Sequence, residues 1–337
     1  MRTISSGKSF DNVGGQRSGN MALEDTPRAL RLPRAGADAR VSRTKTLAKA
    51  IWNTRPVRTL VRNVPDRMAV SAQYLWRKGR LLQLRDPRTF NEKIQWIKLN
   101  YRTRLMTQVV DKHDVRRYVQ DVLGEHALNE IYGVWDRPDE VDFESLPDSF
   151  VLKVTSGSGA NIICDDKGCL DSAEARKKLS GWMAKNYYYH GREWPYRDVR
   201  PRIIAERLML DETGKSPPDF KFFCFNGKPT YVQVDTSRFA GHARDYFDAD
   251  FLPAPFTTGE FPASPTPISK PPNFDEMRES SAKLSAKFPF ARVDLYSFRG
   301  RTIFGEITFS PDAGCVIFEP DCYDSKLGDL LDLAAIS

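Results

Sequence analysis

The stretch from Ser149 to Cys164 constrains the fold more than any other part of the chain. Its first half, Phe150 to Val154, is an apolar, β-rich run that contains a single lysine, Lys153, and a turn of small residues follows at 155–159. Because glycine has no Cβ, the backbone N–H groups of such a turn can approach an anion closely, and the upstream lysine supplies a charge for phosphate. The apolar residues at 162–163 indicate a second strand. The stretch therefore predicts either a flap over phosphate groups or an ordinary hairpin with a flexible turn.

The chain lacks the two commonest glycine-rich phosphate motifs. A P-loop needs Gly-x-x-x-x-Gly-Lys-Ser/Thr between a strand and a helix. The Gly-Lys-Ser at 214–216 has Met209 where the first glycine belongs, and Pro217 and Pro218 prevent a helix from starting cleanly after it. No G-x-G-x-x-G follows a predicted strand. Since the turn at 155–159 lies between two strands, it predicts a flap rather than a cradle at the start of a helix.

Length, hydropathy and cysteine content limit the class of protein. With 337 residues, the chain is long enough for two or three domains and a substantial core. No apolar run approaches the ~18 residues that a membrane-spanning helix needs, and we expect no signal peptide. The five cysteines are odd in number and form no C-x-x-C, which favours reduced thiols over disulfides or a zinc site. We therefore expect a cytoplasmic protein.

The positive charge is concentrated at the N-terminal end. Residues 1–100 hold 21 Lys and Arg against 7 Asp and Glu, whereas residues 101–337 hold 30 against 37. The folded body is therefore not basic, and we expect no nucleic-acid partner. Residues 1–45, rich in Gly, Ser and Arg, predict a disordered basic arm. The basic amphipathic segment at 46–64 predicts either docking on the protein body or peripheral contact with an anionic membrane surface.

Apolar periodicity predicts a helical region at 46–105, followed by mixed helices and strands. One helix is expected from Pro65 to Gly79, and Thr89 or Asn91 can cap the next, which runs to Leu99. Asn226-Gly227 between two apolar runs predicts a hairpin with a type I′ turn. The remaining predictions are helices at 111–122, 171–185 and 275–287, strands at 131–135 and 202–210, and an aromatic loop at 187–195.

The last predicted hairpin, within 291–309, carries the sharpest chemical signal. If its loop has three residues, Asp294 lies opposite Glu306 and Arg292 lies opposite Thr308. Two carboxylates in facing positions destabilise a sheet, and a divalent cation between them removes the penalty. A two-residue loop would instead place the two carboxylates on opposite faces. The hairpin thus predicts either a Mg²⁺ site or an ordinary exposed carboxylate.

The order of these features resembles the ATP-grasp superfamily, and four longer segments are similar to its TupA-like family, named for a teichuronopeptide-biosynthesis protein. The segments are Phe90–Trp96, Tyr188–Pro195, Phe220–Pro229 and Phe288–Tyr296. The resemblance extends over residues 65–333 and implies an α+β fold whose two lobes, each with an antiparallel sheet, clasp ATP. It places an ATP-grasp domain at 106–337, with lobes at 106–205 and 206–337, after the helical region.

The resemblance also implies roles for individual residues. Phosphate groups of ATP would be bound by Lys112, Lys153 and Lys221 and by the flap residues Ser156, Gly157, Ser158 and Gly159. Adenine and ribose would be bound near Glu206, Leu208 and Asp211, and Asp219 would complete the nucleotide site. Mg²⁺ would be held by Asp294 and Glu306, with Thr308 where the superfamily has asparagine. Arg238, Arg292 and Lys221 would stabilise the transferring phosphoryl group or the substrate carboxylate, and Arg192 and Trp194 would line the acceptor side.

The implied activity is the ATP- and Mg²⁺-dependent ligation of a carboxylate to an amine through an acyl phosphate. The family context implies that an amino acid or similar group is added to a cell-surface polysaccharide or its precursor. Such chemistry needs charge neutralisation and positioning rather than a covalent nucleophile. Two alternatives remain open. One is a kinase that phosphorylates a sugar or lipid hydroxyl with Asp219 or Asp235 as base, and the other is a non-catalytic nucleotide-binding module.

Overall fold

The computed structural model describes residues 62–212, 214–236 and 241–334. The predicted arm, most of the segment at 46–64 and Arg238 lie outside these residues. The helices are α1 (Asp66–Lys78), α2 (Phe90–Asn100), α3 (Arg104–Val110), α4 (Val115–Leu123), α5 (Ser172–Met183), α6 (Tyr188–Gly191), α7 (Phe274–Ser285) and α8 (Cys322–Asp329). The strands are β1 (Ile131–Trp135), β2 (Phe150–Val154), β3 (Asn161–Cys164), β4 (Ile203–Glu206), β5 (Asp219–Phe225), β6 (Lys228–Thr236), β7 (Ala243–Asp248), β8 (Phe290–Phe298) and β9 (Arg301–Thr308). None of the described helices has the length and apolar character needed to cross a bilayer.

The strands form two antiparallel sheets. The smaller sheet has the order β1-β4-β2-β3 and the larger one β7-β6-β5-β8-β9. The turn between β5 and β6 has positive φ at both central residues, Asn226 (50°) and Gly227 (77°), as the predicted type I′ turn requires. Helices flank both sheets, which is the α+β arrangement predicted from the sequence.

Local capping explains where the first helices begin and end. α1 stops at Gly79, whose left-handed φ of 68° closes the helix. At the start of α2, the Thr89 hydroxyl accepts from the Glu92 N–H at 3.2 Å, and the Glu92 carboxylate accepts from the Thr89 N–H at 3.1 Å. This reciprocal capping box confirms Thr89 as the cap.

Three predicted boundaries are wrong. The helix expected from residue 111 begins at Val115, because the Asp111 carboxylate accepts hydrogen bonds from the N–H groups of His113 and Asp114 and holds a turn there. The strand expected to reach residue 210 ends at Glu206, and a turn closed by the Asp211–Lys215 hydrogen bond follows. The aromatic segment at 187–195 contains α6 and a short 3₁₀ turn rather than a continuous loop.

A β-bulge sets the register of the last hairpin. The loop has two residues, Arg299 and Gly300, because Phe298 pairs with Arg301. A two-residue loop alone would separate Asp294 and Glu306 to opposite faces, but the register shifts at Gly305, and Asp294 pairs with Glu306. The predicted pairing of Asp294 with Glu306 is therefore correct, but the predicted three-residue loop is wrong. The extra residue is Gly305, inside β9, and not a residue of the turn.

Three hydrophobic clusters hold these layers together. Phe222, Val232 and Val293 project from one face of the larger sheet onto the helices α3, α4 and α7. Every second residue along each strand points to the other face. Among these residues, Phe223 and Phe290 pack against α2 and α8. A separate cluster joins the smaller sheet to α5. The larger sheet is thus covered by helices on both faces at one end, which leaves its other end for polar side chains.

We predict that Gly305→Ala lowers the free energy of unfolding by about 1–3 kcal/mol, because overpacking at the bulge cannot be relieved by a flexible side chain. A Cβ at this position would lie 3.0 Å from the backbone oxygen of Asp294 and 3.0 Å from the Tyr296 ring. Urea denaturation measures the change. The control is Gly181→Ala in α5, where a Cβ meets nothing within 4 Å, and there the same substitution should raise stability by about 0.5–1 kcal/mol. Equal effects at the two positions would contradict the role of the bulge.

Candidate active site

A cleft lined by residues from both sheets contains eight of the sixteen residues predicted to bind ATP, Mg²⁺ or the reacting group. Its lining consists of Lys112, Arg116, Leu128, Asn129, Lys153, Ser158, Gly159, Asn161, Glu206, Met209, Asp219, Asp294, Tyr296, Phe304, Gly305 and Glu306. We call this group of residues the cleft. The fold therefore brings together two of the three predicted phosphate-binding lysines, part of the glycine turn and the two facing carboxylates, although they are far apart in sequence. The third lysine, Lys221, is buried and does not line the cleft.

The turn between β2 and β3 has the geometry expected of a phosphate-covering flap. Gly157 and Gly159 have positive φ, 149° and 77°, which glycine adopts without a steric penalty. The turn rests on an aromatic ring, because a Cβ on Gly157 would lie 2.8 Å from Tyr187. The Lys112 ammonium donates a hydrogen bond to the Gly157 carbonyl. The hydroxyl of Ser156 is buried and has no hydrogen-bond partner within the described part of the chain, so a ligand could supply one.

Lys153 and Glu206 form an ion pair at the inner edge of the smaller sheet. Their strands β2 and β4 are hydrogen-bonded neighbours, and the ammonium lies 2.5 Å from the carboxylate of Glu206. Both side chains are directed into the cleft. The carboxylate of Glu206 compensates the charge of Lys153 and holds its ammonium in the cleft, where it could bind phosphate.

A chain of alternating charges lies on the polar end of the larger sheet. The Lys221 ammonium donates to Asp219 and, at 2.7 Å, to Asp294. The Arg292 guanidinium donates to both oxygens of Asp294 at 2.8 Å, and it lies 3.5 Å from Glu306. Asp219, Lys221 and Asp294 are almost completely buried, whereas a third of the Glu306 side chain is exposed. The buried charges therefore compensate one another, and Glu306 is the member of the group that solvent can reach.

The pKa values of these groups follow from burial and from their partners. Burial lowers the pKa of Lys221, but the carboxylates of Asp219 and Asp294 outweigh burial and make the net shift upward. Burial also raises the pKa of Asp294, against the opposing charges of Arg292 and Lys221. The carboxylate of Asp294 therefore depends on the surrounding cations for its charge. A further cation beside it would stabilise the charged form.

The facing carboxylates fit a magnesium ion by their donor chemistry. Asp294 and Glu306 are paired in register and both line the cleft, and Thr308 lies two residues further along the same strand. Mg²⁺ prefers oxygen ligands and usually takes one or two carboxylates together with substrate phosphates. The Thr308 hydroxyl lies 3.4 Å from the Arg292 guanidinium. Asp294 and Glu306 could therefore hold the ion in the cleft that Lys112 and Lys153 also line.

A second group of possible metal ligands is occupied by an arginine. Asp111, His113 and Asp114 place ligand atoms within 4.8 Å of one another. The Arg202 guanidinium, however, lies 3.2 Å from Asp111 and 2.6 Å from Asp114. Because the positive charge that this group needs is already supplied within the fold, its role is to hold the turn that carries Lys112.

Two predicted residues of the adenine and ribose side lie apart from the cleft, and the predicted catalytic residue Arg238 lies outside the described residues. Leu208 lines a different surface groove together with Glu130 and Phe298. Asp211 accepts a hydrogen bond from the Lys215 N–H at 2.9 Å and closes its own turn. Arg238 is not among the described residues. The roles given to these residues therefore stay predictions.

The two residues expected on the acceptor side have partners within the fold. The Arg192 guanidinium is buried, lies 3.4 Å from Asp66 and donates to the Val64 carbonyl at 3.1 Å. The Trp194 indole donates to the Tyr101 carbonyl at 3.0 Å. Both side chains thus tie the segment at 187–196 to the region around α1 and α2, which is a sufficient structural reason for their presence.

Sequence reasoning missed several residues of the cleft, most clearly Arg116, Met209 and Tyr296. Arg116 follows Lys112 by four residues, but Lys112 lies in the turn before α4, so helical periodicity does not connect them. Tyr296 shares its face of β8 with Asp294, and this two-residue spacing could have identified it. Met209 could not be found from a strand pattern, because β4 ends before it.

A polar stripe on α2 holds the backbone that follows β9. Asn91 pairs with both the N–H and the C=O of Val316, at 2.7 and 2.8 Å. Gln95 and Lys98, one helical turn apart, donate to the carbonyls of residues 313 and 314 at 2.8–3.0 Å. Residues 312–314 all have left-handed backbone geometry, with φ of 50–75°. These hydrogen bonds therefore fix an otherwise unfavourable turn shortly after Glu306 and Thr308.

Lys98, in the polar stripe of α2, interacts with the charged residues of the site through Glu193. Burial lowers the pKa of Lys98 to about 8, and the charge of Glu193 opposes that shift. Burial likewise raises the pKa of Glu193 to about 7, against Lys98 and Arg292. The negative charge of Glu306 also raises the pKa of Glu193. The charge state around Lys98 is therefore sensitive to pH near neutrality.

We predict that Asn91→Ala lowers the free energy of unfolding by about 2–4 kcal/mol, because it leaves a buried N–H and a buried carbonyl of Val316 without this partner. The effect is measured by urea denaturation. The matched control is Asn100→Ala at the end of the same helix, where the exposed amide makes a single bond to the Trp96 carbonyl, and we expect a change within about 0.5 kcal/mol. A small effect at Asn91 would show that the turn at 312–316 is held by other means.

The family of the chain is shown by a family model described as TupA-like ATPgrasp, which matches residues 92–332. The chain therefore belongs to the TupA-like ATP-grasp family, as its motifs predicted, and the α+β ATP-grasp fold is confirmed. By its description, this family belongs to the ATP-grasp class. A search of curated proteins finds no match.

Several solved structures are similar to the chain at low sequence identity. The ATP-grasp ligase PsnB in complex with its minimal precursor is 10% identical, with a TM-score of 0.40, over 73% of this chain and 67% of that one. The D-alanine–D-alanine ligase from Bacillus anthracis in complex with ATP is 14% identical, with a TM-score of 0.38, over 67% and 66%. The corresponding ligase from Helicobacter pylori is 10% identical, with a TM-score of 0.41, over 72% and 66%. The chain thus spans about two thirds of the length of these structures.

Proposed function

We propose that the chain is a carboxylate–amine ligase that binds Mg²⁺ and ATP in the cleft and activates a carboxylate as an acyl phosphate. The observation that carries the proposal is the register of Asp294 with Glu306, which places two carboxylates opposite the phosphate-binding candidates Lys112 and Lys153. When bound, Mg²⁺ would neutralise charge on the phosphate groups. The roles below are assigned on the basis of these positions.

The phosphate chain of ATP would be held by the lysines and the flap. Lys112 would exchange part of its interaction with the Gly157 carbonyl and with Glu306, 3.7 Å away, for phosphate oxygens. Lys153 would do the same from its ion pair with Glu206. The buried hydroxyl of Ser156 and the turn at 157–159 supply further polar groups. Such binding positions the phosphoryl group and shields it from water.

The transferring phosphoryl group would be stabilised by the cations of the larger sheet. Arg292 lies between Asp294 and Glu306, and it can present its guanidinium to negative charge that develops beside either carboxylate. Lys221 keeps Asp294 charged from the buried side. We assign Arg292 to the reacting group and Lys221 to the support of Asp294. Arg238 remains a further candidate for stabilising the reacting group.

The substrate part of the proposal is supported by the family resemblance. The acceptor would be a cell-surface polysaccharide or its precursor, and the added group an amino acid or a similar molecule. A basic segment at 46–64 suits an enzyme that works at the inner face of a membrane. Equal vesicle binding by the full chain and by a chain without residues 1–64 would contradict a membrane role for that segment.

The kinase alternative needs a general base, and the contacts of Asp235 make that residue a poor candidate for it. Arg244 donates to both oxygens of Asp235, and Gln233 donates to them as well. Burial raises the pKa of Asp235, but the hydrogen bond and charge of Arg244 outweigh it and make the net shift downward. Asp219, the other candidate, accepts a hydrogen bond from Lys221. Because its pKa is lowered, Asp235 is a weak base.

We predict that Mg²⁺ with ATP raises the melting temperature of the wild type and leaves the Asp294→Asn/Glu306→Gln variant nearly unchanged. Ligand at a hundred times its Kd adds about 2.7 kcal/mol to the stability of the folded state. Thermal unfolding with ATP, with and without Mg²⁺, measures the difference. The control carries the same chemical changes at exposed positions, Asp250→Asn/Glu279→Gln. Undiminished Mg²⁺-dependent stabilisation of the site variant would overturn the metal assignment.

We also predict that release of inorganic phosphate from ATP requires both a carboxylate and an amine. A ligase forms ADP and free phosphate in equal amounts when the amine displaces phosphate from the acyl phosphate. A kinase forms ADP but retains the phosphate on its product. Parallel assays of ADP and phosphate across carboxylate and amine mixtures, with the matching alcohols in place of the amines, distinguish the two. ADP without free phosphate in the presence of the alcohol would favour the kinase.

A further inference from the structure

Helix α1 has two apolar faces, and only one of them is covered. Val70 and Tyr74 are completely buried against the fold. Met68, Leu75 and Trp76 lie on the opposite face, with 64%, 46% and 71% of their surface exposed. Met68 and Leu75 are seven residues apart and share a face of the helix, and Trp76, eight residues after Met68, lies beside them on the same side. A helix that only covers a core would carry polar residues on this outer side.

Exposed large hydrophobic residues are concentrated here. Four of the nine such residues in the described ranges fall within 68–81: Met68, Leu75, Trp76 and Leu81. The other five are distributed over separate parts of the described chain: Val134, Ile163, Leu252, Ile317 and Leu330. Single exposed apolar residues are common, whereas a contiguous group marks a surface that binds something. We call Met68, Leu75 and Trp76 of α1, together with Leu81 just beyond the end of the helix, the α1 stripe.

The α1 stripe belongs to a firmly held helix. Arg77 donates to the Asp312 carbonyl at 2.7 Å, and Lys78 donates to the Val316 carbonyl at the same distance. Lys78 and Arg80 also form ion pairs with the buried Asp324, at 3.3 and 2.6 Å. The exposure of the stripe is therefore a property of the folded structure and does not result from fraying of the helix end.

The charges around the stripe indicate what would cover it. Residues 62–88 contain seven Lys and Arg against two Asp and Glu. Arg62, Arg67, Arg85 and Arg88 are exposed. A second copy of this chain would bring like charges together across such a face. The surface of an anionic lipid bilayer suits both the arginines and the apolar stripe. Its charged headgroups attract the arginines, and an apolar layer lies beneath them.

We propose that α1 docks on an anionic lipid bilayer and lies in the plane of its interface, with the α1 stripe inserted at the boundary between headgroups and acyl chains. Tryptophan is enriched at this depth, since its ring combines an apolar body with a polar N–H. Arginine side chains at the flanks reach lipid phosphates. The proposal depends on the stripe alone and is independent of the activity assigned to the cleft.

Vesicle co-sedimentation of the full chain tests the proposal. The vesicles contain phosphatidylglycerol and phosphatidylcholine in equal parts, with pure phosphatidylcholine vesicles for comparison. We expect the wild type to bind the anionic vesicles, with binding that weakens as salt is added. Leu75→Ser/Trp76→Ser should lower the partition coefficient by about tenfold or more, because the apolar contribution is lost. The matched control is Leu252→Ser, at an exposed leucine elsewhere, and it should bind as the wild type does.

A second measurement separates insertion from a loss of folding. Trp76→Phe keeps an aromatic ring and should retain vesicle binding, but it should lose the blue shift of tryptophan emission that anionic vesicles cause in the wild type. Wild-type binding by the Ser variant, or no binding of the wild type to anionic vesicles, would overturn the proposal. A wild type that dimerises in solution while the Ser variant stays monomeric would show that a second copy covers the stripe. Shielding of Trp76 from a soluble quencher without vesicles would likewise contradict membrane docking.

Discussion

Two carboxylates that face each other across β8 and β9 are the interaction on which the site depends. Like charges in such a position destabilise a sheet, and burial of Asp294 adds a desolvation cost. The fold compensates with Arg292, which binds Asp294 and approaches Glu306, and with Lys221 on the buried side. The two cations thus compensate the facing carboxylates within the sheet, and the partly exposed Glu306 remains accessible from the cleft.

The larger sheet can carry these charges because its two ends have different environments. One end is packed by aromatic residues such as Phe223 and Phe290 against α2 and α8. On the same face, two residues along β5, Lys221 lies among carboxylates. The rigid aromatic end anchors α2, and α2 in turn holds the turn at 312–316 with Asn91 and its neighbours. The backbone that follows β9 is therefore held partly by a helix that comes much earlier in the sequence.

Much of this arrangement could be predicted from the sequence, because local chemistry and tertiary structure agree. The Thr89 cap and the Asn226-Gly227 turn follow from short motifs whose geometry needs no tertiary context. The pairing of Asp294 with Glu306 was predicted for the wrong reason, since a glycine within a strand does not reveal by itself whether it forms a bulge. The roles of Arg192 and Trp194 could not be predicted, because both depend on tertiary partners in α1 and α2. The polar stripe of α2 likewise resembles a solvated helix face until the turn that it binds is known.

The central claim is that Asp294 and Glu306 together hold the metal ion that accompanies ATP. It is tested most directly by anomalous diffraction from crystals grown with Mn²⁺ and a non-hydrolysable ATP analogue, because manganese replaces magnesium and can be located by its own signal. The account predicts an anomalous peak at bonding distance from carboxylate oxygens of both residues and from phosphate oxygens of the analogue. A peak elsewhere, for example at Asp111, His113 and Asp114, or a peak bound by neither Asp294 nor Glu306, would contradict it.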